Sequence, residues 1–144
     1  MTSENLLKPF REVLIVDDSF DVRVMLKEIL KSLNINQIDE ASSKDELYNK
    51  LEHFNYRVVF LDIELSTKNP EDNGLHGLAY IKANFPGLKV IIISAHHTAE
   101  NVRKAILNGA DGFIVKPFSI RKISDIVFKF CPDAKRVNND DDDE

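Results

Sequence analysis

Val13-Leu14-Ile15-Val16-Asp17-Asp18 is a run of four apolar residues that stops on two carboxylates. A strand that is apolar on both sides of its pleat suits the interior of a parallel sheet covered on both faces. Two more runs follow the same plan. Val58-Val59-Phe60-Leu61 ends at Asp62, and Val90-Ile91-Ile92-Ile93 ends at Ser94. Gly112 to Val115 leads into Lys116-Pro117 and reads as a fifth strand, while residues 34–41 read as a weaker second strand carrying Ile35 and Ile38.

Helical spacing fills the intervals. Val22, Met25, Leu26, Ile29, Leu30 and Leu33 form one apolar face, with Ser19 as the cap that starts it. Ser43-Lys44-Asp45-Glu46 has capping-box spacing ahead of Leu47 and Leu51. A third helix carries Leu75, Leu78, Ile81 and Phe85 and stops before Pro86-Gly87. Thr98 caps a fourth, with Val102, Ala105 and Ile106 inward and Asn108-Gly109 as its stop. The last holds Ile120, Ile123, Ile126, Val127 and Phe130. Five strands alternating with five helices predict an α/β doubly wound parallel sheet with helices on both faces.

The 144 residues suit one domain over 1–131, followed by an acidic segment over 132–144 expected to be disordered. Hydrophobic residues at 43% and charged residues at 30% are the balance of a globular protein in water. The net charge of −5, part of it from Asp140 to Glu144, argues against nucleic acid as the main partner, since phosphate backbones require basic patches. No apolar run is long enough to span a bilayer and no secretory leader opens the chain, so the expected location is the cytoplasm. Cys131 is the single cysteine, which rules out an internal disulfide and leaves it a packing role at the end of an apolar stripe.

In open α/β sheets, function gathers at the carboxyl ends of the strands. Those ends carry Asp17, Asp18, Asp62, Ser94 and Lys116. Three converging carboxylates repel one another unless a cation sits among them, and all-oxygen ligation suits Mg²⁺. A carboxylate can also attack a phosphoryl group to give an aspartyl-phosphate. Lys116 then offers a positive charge and Ser94 a hydroxyl donor, and phosphoryl transfer depends mostly on positioning and charge stabilisation. Taken singly, Asp-Asp is a common turn pair, Asp62 and Ser94 are ordinary loop polar groups, and Lys-Pro is a turn signal. Their placement together at successive strand ends is what points to chemistry.

As an ordered set from Glu12 to Phe130, these stretches resemble the receiver domain of two-component signalling. The set also includes Gly109-Ala110-Asp111-Gly112-Phe113 and Lys116-Pro117-Phe118. The resemblance implies a flavodoxin-like (βα)5 fold with strand order 2-1-3-4-5. It implies a response regulator in which Asp62 is the phosphoacceptor, charged by a sensor histidine kinase or histidine phosphotransfer protein. Such a protein is not an enzyme beyond its own phosphorylation and autodephosphorylation. Asp18 and Asp62 would bind Mg²⁺ (or Mn²⁺ as a substitute) directly, Asp17 through water, and the backbone carbonyl of Glu64 would complete the set. Lys116 would pair with the phosphoryl oxygens, and its peptide bond to Pro117 is expected to be cis. Ser94 and Phe113 would be the switch residues, with Phe113 lacking a tyrosine's hydroxyl or serving only as core. Glu64 and His96 would tune autodephosphorylation.

The resemblance places the output on the face of the fourth helix, fifth strand and fifth helix, and with only a short acidic segment after the last helix the expected output is protein binding, phosphate relay or service as a phosphate sink. One departure is a polar stretch over residues 66–73, about four residues longer than the family's loop. Pro70 within it forbids helix. Two other readings compete. One is a phosphorylation-independent interaction module on the same fold, against which the retained acidic, hydroxyl and lysine residues argue. The other is a haloacid-dehalogenase-like phosphatase, whose Asp-x-Asp motif differs from the adjacent Asp17 and Asp18. A nucleotide-binding reading lacks both Gly-x-Gly-x-x-Gly and a P-loop.

Overall fold

The computed structural model describes residues 7–65, 74–96, 98–132 and 134. Its elements alternate along the chain. Strands β1 (Phe10–Val16), β2 (Ile38–Ala41), β3 (Asn55–Asp62), β4 (Lys89–Ser94) and β5 (Gly112–Val115) each precede a helix. Those helices are α1 (Phe20–Ser32), α2 (Lys44–His53), α3 (Gly74–Asn84), α4 (Ala99–Leu107) and α5 (Ile120–Phe130). The strands form one parallel sheet in the order β2-β1-β3-β4-β5, the flavodoxin-like order. Order reverses at β1, so β1 and β3 are neighbours whose following helices leave on opposite faces.

The pleat divides the apolar runs between two cores. Leu14, Val16, Val59, Leu61, Val90 and Ile92 face one side, where they pack with Leu47 and Leu51 of α2, Leu78 and Ile81 of α3 and Ala105 of α4. Val13, Ile15, Val58, Phe60, Ile91 and Ile93 face the other, against Leu26, Ile29 and Leu30 of α1 and Ile123 and Val127 of α5. Every one of these strand residues is at most 1% exposed, which is why the runs are apolar without alternation. Cys131 closes the second core, and burial pushes its thiol up to about 11, so it packs as a small apolar side chain.

Helix starts follow the capping chemistry. Ser19, Ser43 and Thr98 each accept a backbone N–H three residues on, and Ser119 does the same for α5. The box at α2 closes one residue early, because Glu46 Oε1 accepts from the Ser42 N–H at 2.6 Å rather than from Ser43. Residues 34–37 are not strand. Asn34 adopts φ 69°, its N–H donates to the Lys31 carbonyl, and the Ile35 N–H reaches back to Leu30. This is a Schellman stop for α1, so β2 begins only at Ile38. The apolar stripes are also narrower than their spacing indicates. Met25 is 46% exposed, Ile106 62% and Ile120 56%. Among the described residues no helix is long and apolar enough to cross a membrane.

Candidate functional site

The carboxyl ends of β1 and β3 lie side by side, Val16 pairing with Leu61. The chain leaves β1 through a tight turn in which the Ser19 N–H donates to Asp17 Oδ1 at 2.9 Å. That turn is clamped from two sides. The Asp17 N–H donates to the Ala41 carbonyl of β2 at 3.1 Å, and Arg23 Nη1 donates to the Asp17 carbonyl at 2.7 Å. Arg23 is in turn held by Glu40 through Nε at 3.0 Å, and Glu40 also pairs with Lys27 at 2.5 Å. Burial opposes ionisation of Glu40, but Lys27 and Arg23 outweigh it and hold its carboxyl below the ordinary value.

One carboxylate oxygen from each of Asp17, Asp18 and Asp62 lies within 4.8 Å of the other two. Asp17 is fully buried, Asp62 keeps 4% of its side-chain surface and Asp18 is exposed, so the cluster opens along its Asp18 edge. Lys116 Nζ stands 2.8 Å from Asp17 Oδ2 and 3.6 Å from Asp62 Oδ2. The shorter contact is an ion pair to the buried Oδ2 of Asp17, so the ammonium engages Asp17 more closely than Asp62. A single ammonium faces three carboxylates there. Three converging carboxylates against one ammonium leave excess negative charge on hard oxygen donors, the donor set a small divalent cation takes, so the residues fit Mg²⁺.

The charges register in the titration of the groups. Burial, then the negative charge of Asp17, pushes the Asp62 carboxyl up to about 6, against the opposing pull of the Glu64 N–H and Lys116. Burial works against the charge of Lys116, but Asp17 and Asp62 outweigh it and hold the ammonium above its ordinary value. Lys116 is aimed by its backbone: its N–H donates to the Ser94 carbonyl at 2.8 Å, and its bond to Pro117 is cis, as expected.

Around Asp62 the packing is close. Its Oδ1 accepts the Glu64 N–H at 2.9 Å. Gly74 opens α3 against it, where an added Cβ would stand 2.3 Å from the Asp62 carbonyl oxygen and 2.6 Å from Ile63 Cα. Ser94 is buried at the end of β4, and its hydroxyl contacts the Glu64 carboxylate and lies 2.9 Å from the His96 carbonyl. His96 Nδ1 stands 3.4 Å from Glu64 Oε2. Phe113 is partly buried against the core under α2, α3 and α4. Residues 66–73 and His97 lie outside the described residues, as does most of the segment over 132–144.

Asp17, Asp18, Asp62 and Lys116 are thus brought together, with Glu64, Ser94 and His96 as a linked group beside Asp62. Sequence reasoning missed Arg23 and the close approach of Gly74 to Asp62. Arg23 sits four residues after the cap Ser19, a position that only the fold brings over Glu40. The glycine was legible as a helix start, but its contact with the Asp62 backbone was not.

The chain matches the family described as "Response regulator receiver domain" over residues 13–128. It is 37% identical over 118 residues to the chemotaxis protein CheY of Listeria monocytogenes, covering 82% of this chain and 96% of that protein. The chemotaxis protein CheY of Thermotoga maritima is 34% identical over 119 residues, covering 83% and 96%. Among solved structures, the receiver domain of NtrX from Brucella abortus superposes with a TM-score of 0.74 at 31% identity, covering 84% of this chain and 98% of that one. A fold with the 2-1-3-4-5 order, an acidic cluster at its switch point and a family match over most of the length agree: this chain belongs to the response regulator receiver domains, the phosphoacceptor regulators of two-component signalling.

Proposed function

We propose that Asp62 accepts a phosphoryl group from a phosphohistidine donor in the presence of Mg²⁺, and that this modification switches a protein-binding face. The observation that carries the reading is the convergence of Asp17, Asp18 and Asp62 beside the Lys116 ammonium. Asp18, Asp62 and the Glu64 carbonyl would hold the ion, with Asp17 acting through water, and Mn²⁺ would substitute. When bound, the ion supplies positive charge that keeps Asp62 ionised and offsets the charge of the incoming phosphoryl oxygens. The Asp62 carboxylate forms the new P–O bond, the donor's P–N bond breaks, and the imidazole leaves with the electron pair. Lys116 pairs with a phosphoryl oxygen, and the Ser94 hydroxyl donates to another.

The output follows from that added charge. An aspartyl-phosphate draws Ser94 toward it, and Phe113 on the adjoining strand repacks, biasing an equilibrium that already exists. The face of α4, β5 and α5 is the proposed docking surface, and Ile106, Leu107 and Ile120 are exposed apolar side chains on its two helices. Glu64 and His96, paired beside Asp62, set the lifetime of the phosphoryl form. Half-lives measured for Glu64→Ala and His96→Ala test that part, and unchanged decay in both removes it.

Intact-mass analysis after treatment with a small phosphodonor tests the whole. The wild type gains one phosphoryl mass with Mg²⁺ and none after chelation, and Asp62→Asn gains none in either condition. A wild type that stays at its starting mass with Mg²⁺ would sink the proposal.

A further inference from the structure

Beside the acceptor there is a pocket of donors already filled by an anion of the chain itself. Glu64 Oε2 takes the Ser94 hydroxyl, Glu64 Oε1 accepts the Ala95 N–H at 3.3 Å, and His96 Nδ1 faces Oε2 at 3.4 Å. A hydroxyl, a backbone N–H and an imidazole converging on two oxygens make an anion subsite. Its position is fixed to the acceptor, because the Glu64 N–H is the group bonded to Asp62 Oδ1. We propose that the Glu64 carboxylate is the resting occupant of the subsite that receives the phosphoryl oxygens, so that phosphoryl uptake requires its departure. This rests on the reading of Asp62 as acceptor and goes beyond the lifetime role, since it concerns entry of the group rather than its loss.

Three features make departure feasible. Ser94 is fully buried, so its hydroxyl cannot be left without an acceptor, and it has a second one in the His96 carbonyl at 2.9 Å. One hydroxyl proton serves either acceptor, which gives the serine two arrangements. The Glu64 side chain keeps 34% of its surface in solvent, so the released carboxylate rehydrates rather than being stranded. The backbone of Glu64 need not move, because its N–H bond to Asp62 is independent of where the side chain points.

Displacement raises the barrier to uptake for any donor by the differential hold of these contacts. The experiment uses acetyl phosphate with Mg²⁺ on the full chain. Asp62 forms the P–O bond, the donor's own P–O bond breaks, and acetate leaves with the electron pair. Uptake followed by intact mass is expected to be faster in Glu64→Ala by about tenfold or more, the scale of losing one charge-assisted hydrogen bond from the resting state. Glu64→Gln falls between, because its amide oxygen can still accept from Ser94 and Ala95 without the charge. Beryllofluoride, which occupies the subsite without covalent transfer, binds correspondingly tighter to both variants. In the metal-free protein the Ala95 amide proton resonance moves in Glu64→Ala, a signature that a general loss of stability would not single out. Uptake that is equal or slower in both variants overturns the inference while leaving Asp62 as acceptor intact. Absence of uptake in wild type and variants alike overturns the acceptor reading, and this inference with it.

Discussion

At the scale of the residue, Asp62 is a buried acid held in an unfavourable state. Asp62 titrates near 6 in the fold against an ordinary value of 3.8, because burial and Asp17 disfavour its charge. The native state therefore holds this proton more tightly than the unfolded chain does. Between those two values the native state binds more protons, so the contribution to stability falls as pH rises through the window and is fully lost above it. At neutral pH and without metal the ionised carboxylate costs the fold on the order of 2 kcal/mol. Asp62→Asn is expected to stabilise the metal-free protein by about 1–2 kcal/mol at pH 8 and to change little at pH 4. Urea unfolding at the two pH values measures this, and no gain at pH 8 would contradict the raised Asp62 carboxyl. The five strand-end residues were legible in sequence because a strand end is legible. Arg23, the Ala95 N–H and the Ser94–Glu64 contact were not, since each joins elements that are distant along the chain or depends on a side chain's direction.

At the scale of the element, the site depends on how closely α3 approaches β3. The Cβ that any residue but glycine would place at Gly74 meets backbone on two sides, at 2.3 Å and 2.6 Å, and neither the Asp62 carbonyl nor Ile63 Cα can step aside alone. Gly74→Ala is expected to destabilise by roughly 1–3 kcal/mol, as overpacking does, and to weaken Mg²⁺ binding because Asp62 is what it displaces. Gly87→Ala is the matched control, with nothing within 4 Å of its added carbon, and its stability stays within about 0.5 kcal/mol of the parent. Chemical denaturation and Mg²⁺ titration of both variants decide the matter. The opposite end of the same helix is tied by Lys82, whose ammonium bonds Asp111 at 2.9 Å while Asp111 accepts the Val90 N–H at 2.9 Å. Asp111 was visible as part of a family motif, and the structure gives it a job: it joins α3, β4 and the entry to β5.

At the scale of the whole molecule, folding is what assembles the acidic cluster, so a cation that binds it stabilises the fold. Asp17 follows β1 and Asp62 ends β3, with α1, β2 and α2 between them in the chain, and the unfolded chain offers no such site. If Mg²⁺ binds there, at a hundredfold its dissociation constant stability is expected to rise by about 2.7 kcal/mol and the melting temperature to climb with concentration. Asp17→Asn is expected to remove most of that dependence, and calorimetry across a Mg²⁺ series reads it directly. A melting temperature indifferent to Mg²⁺ would contradict the metal site. The parallel order makes this coupling possible: reversal of strand order at β1 brings the carboxyl ends of β1 and β3 side by side, between the two cores.

The sequence by itself determined the architecture and the residues at the strand ends. Buried parallel strands must be apolar on both faces, and a polar residue after such a run marks where the strand leaves the core. Period and punctuation are local properties, so they survive in a one-dimensional reading. The extent of β2, the exposure of Met25, Ile106 and Ile120, the clamp of Arg23 on Asp17 and the seating of Glu64 against Ser94 and Ala95 were decided only by the tertiary structure. Each depends on which side of an element meets a neighbour and at what distance. Those quantities exist only once the sheet has twisted and the helices have packed upon it.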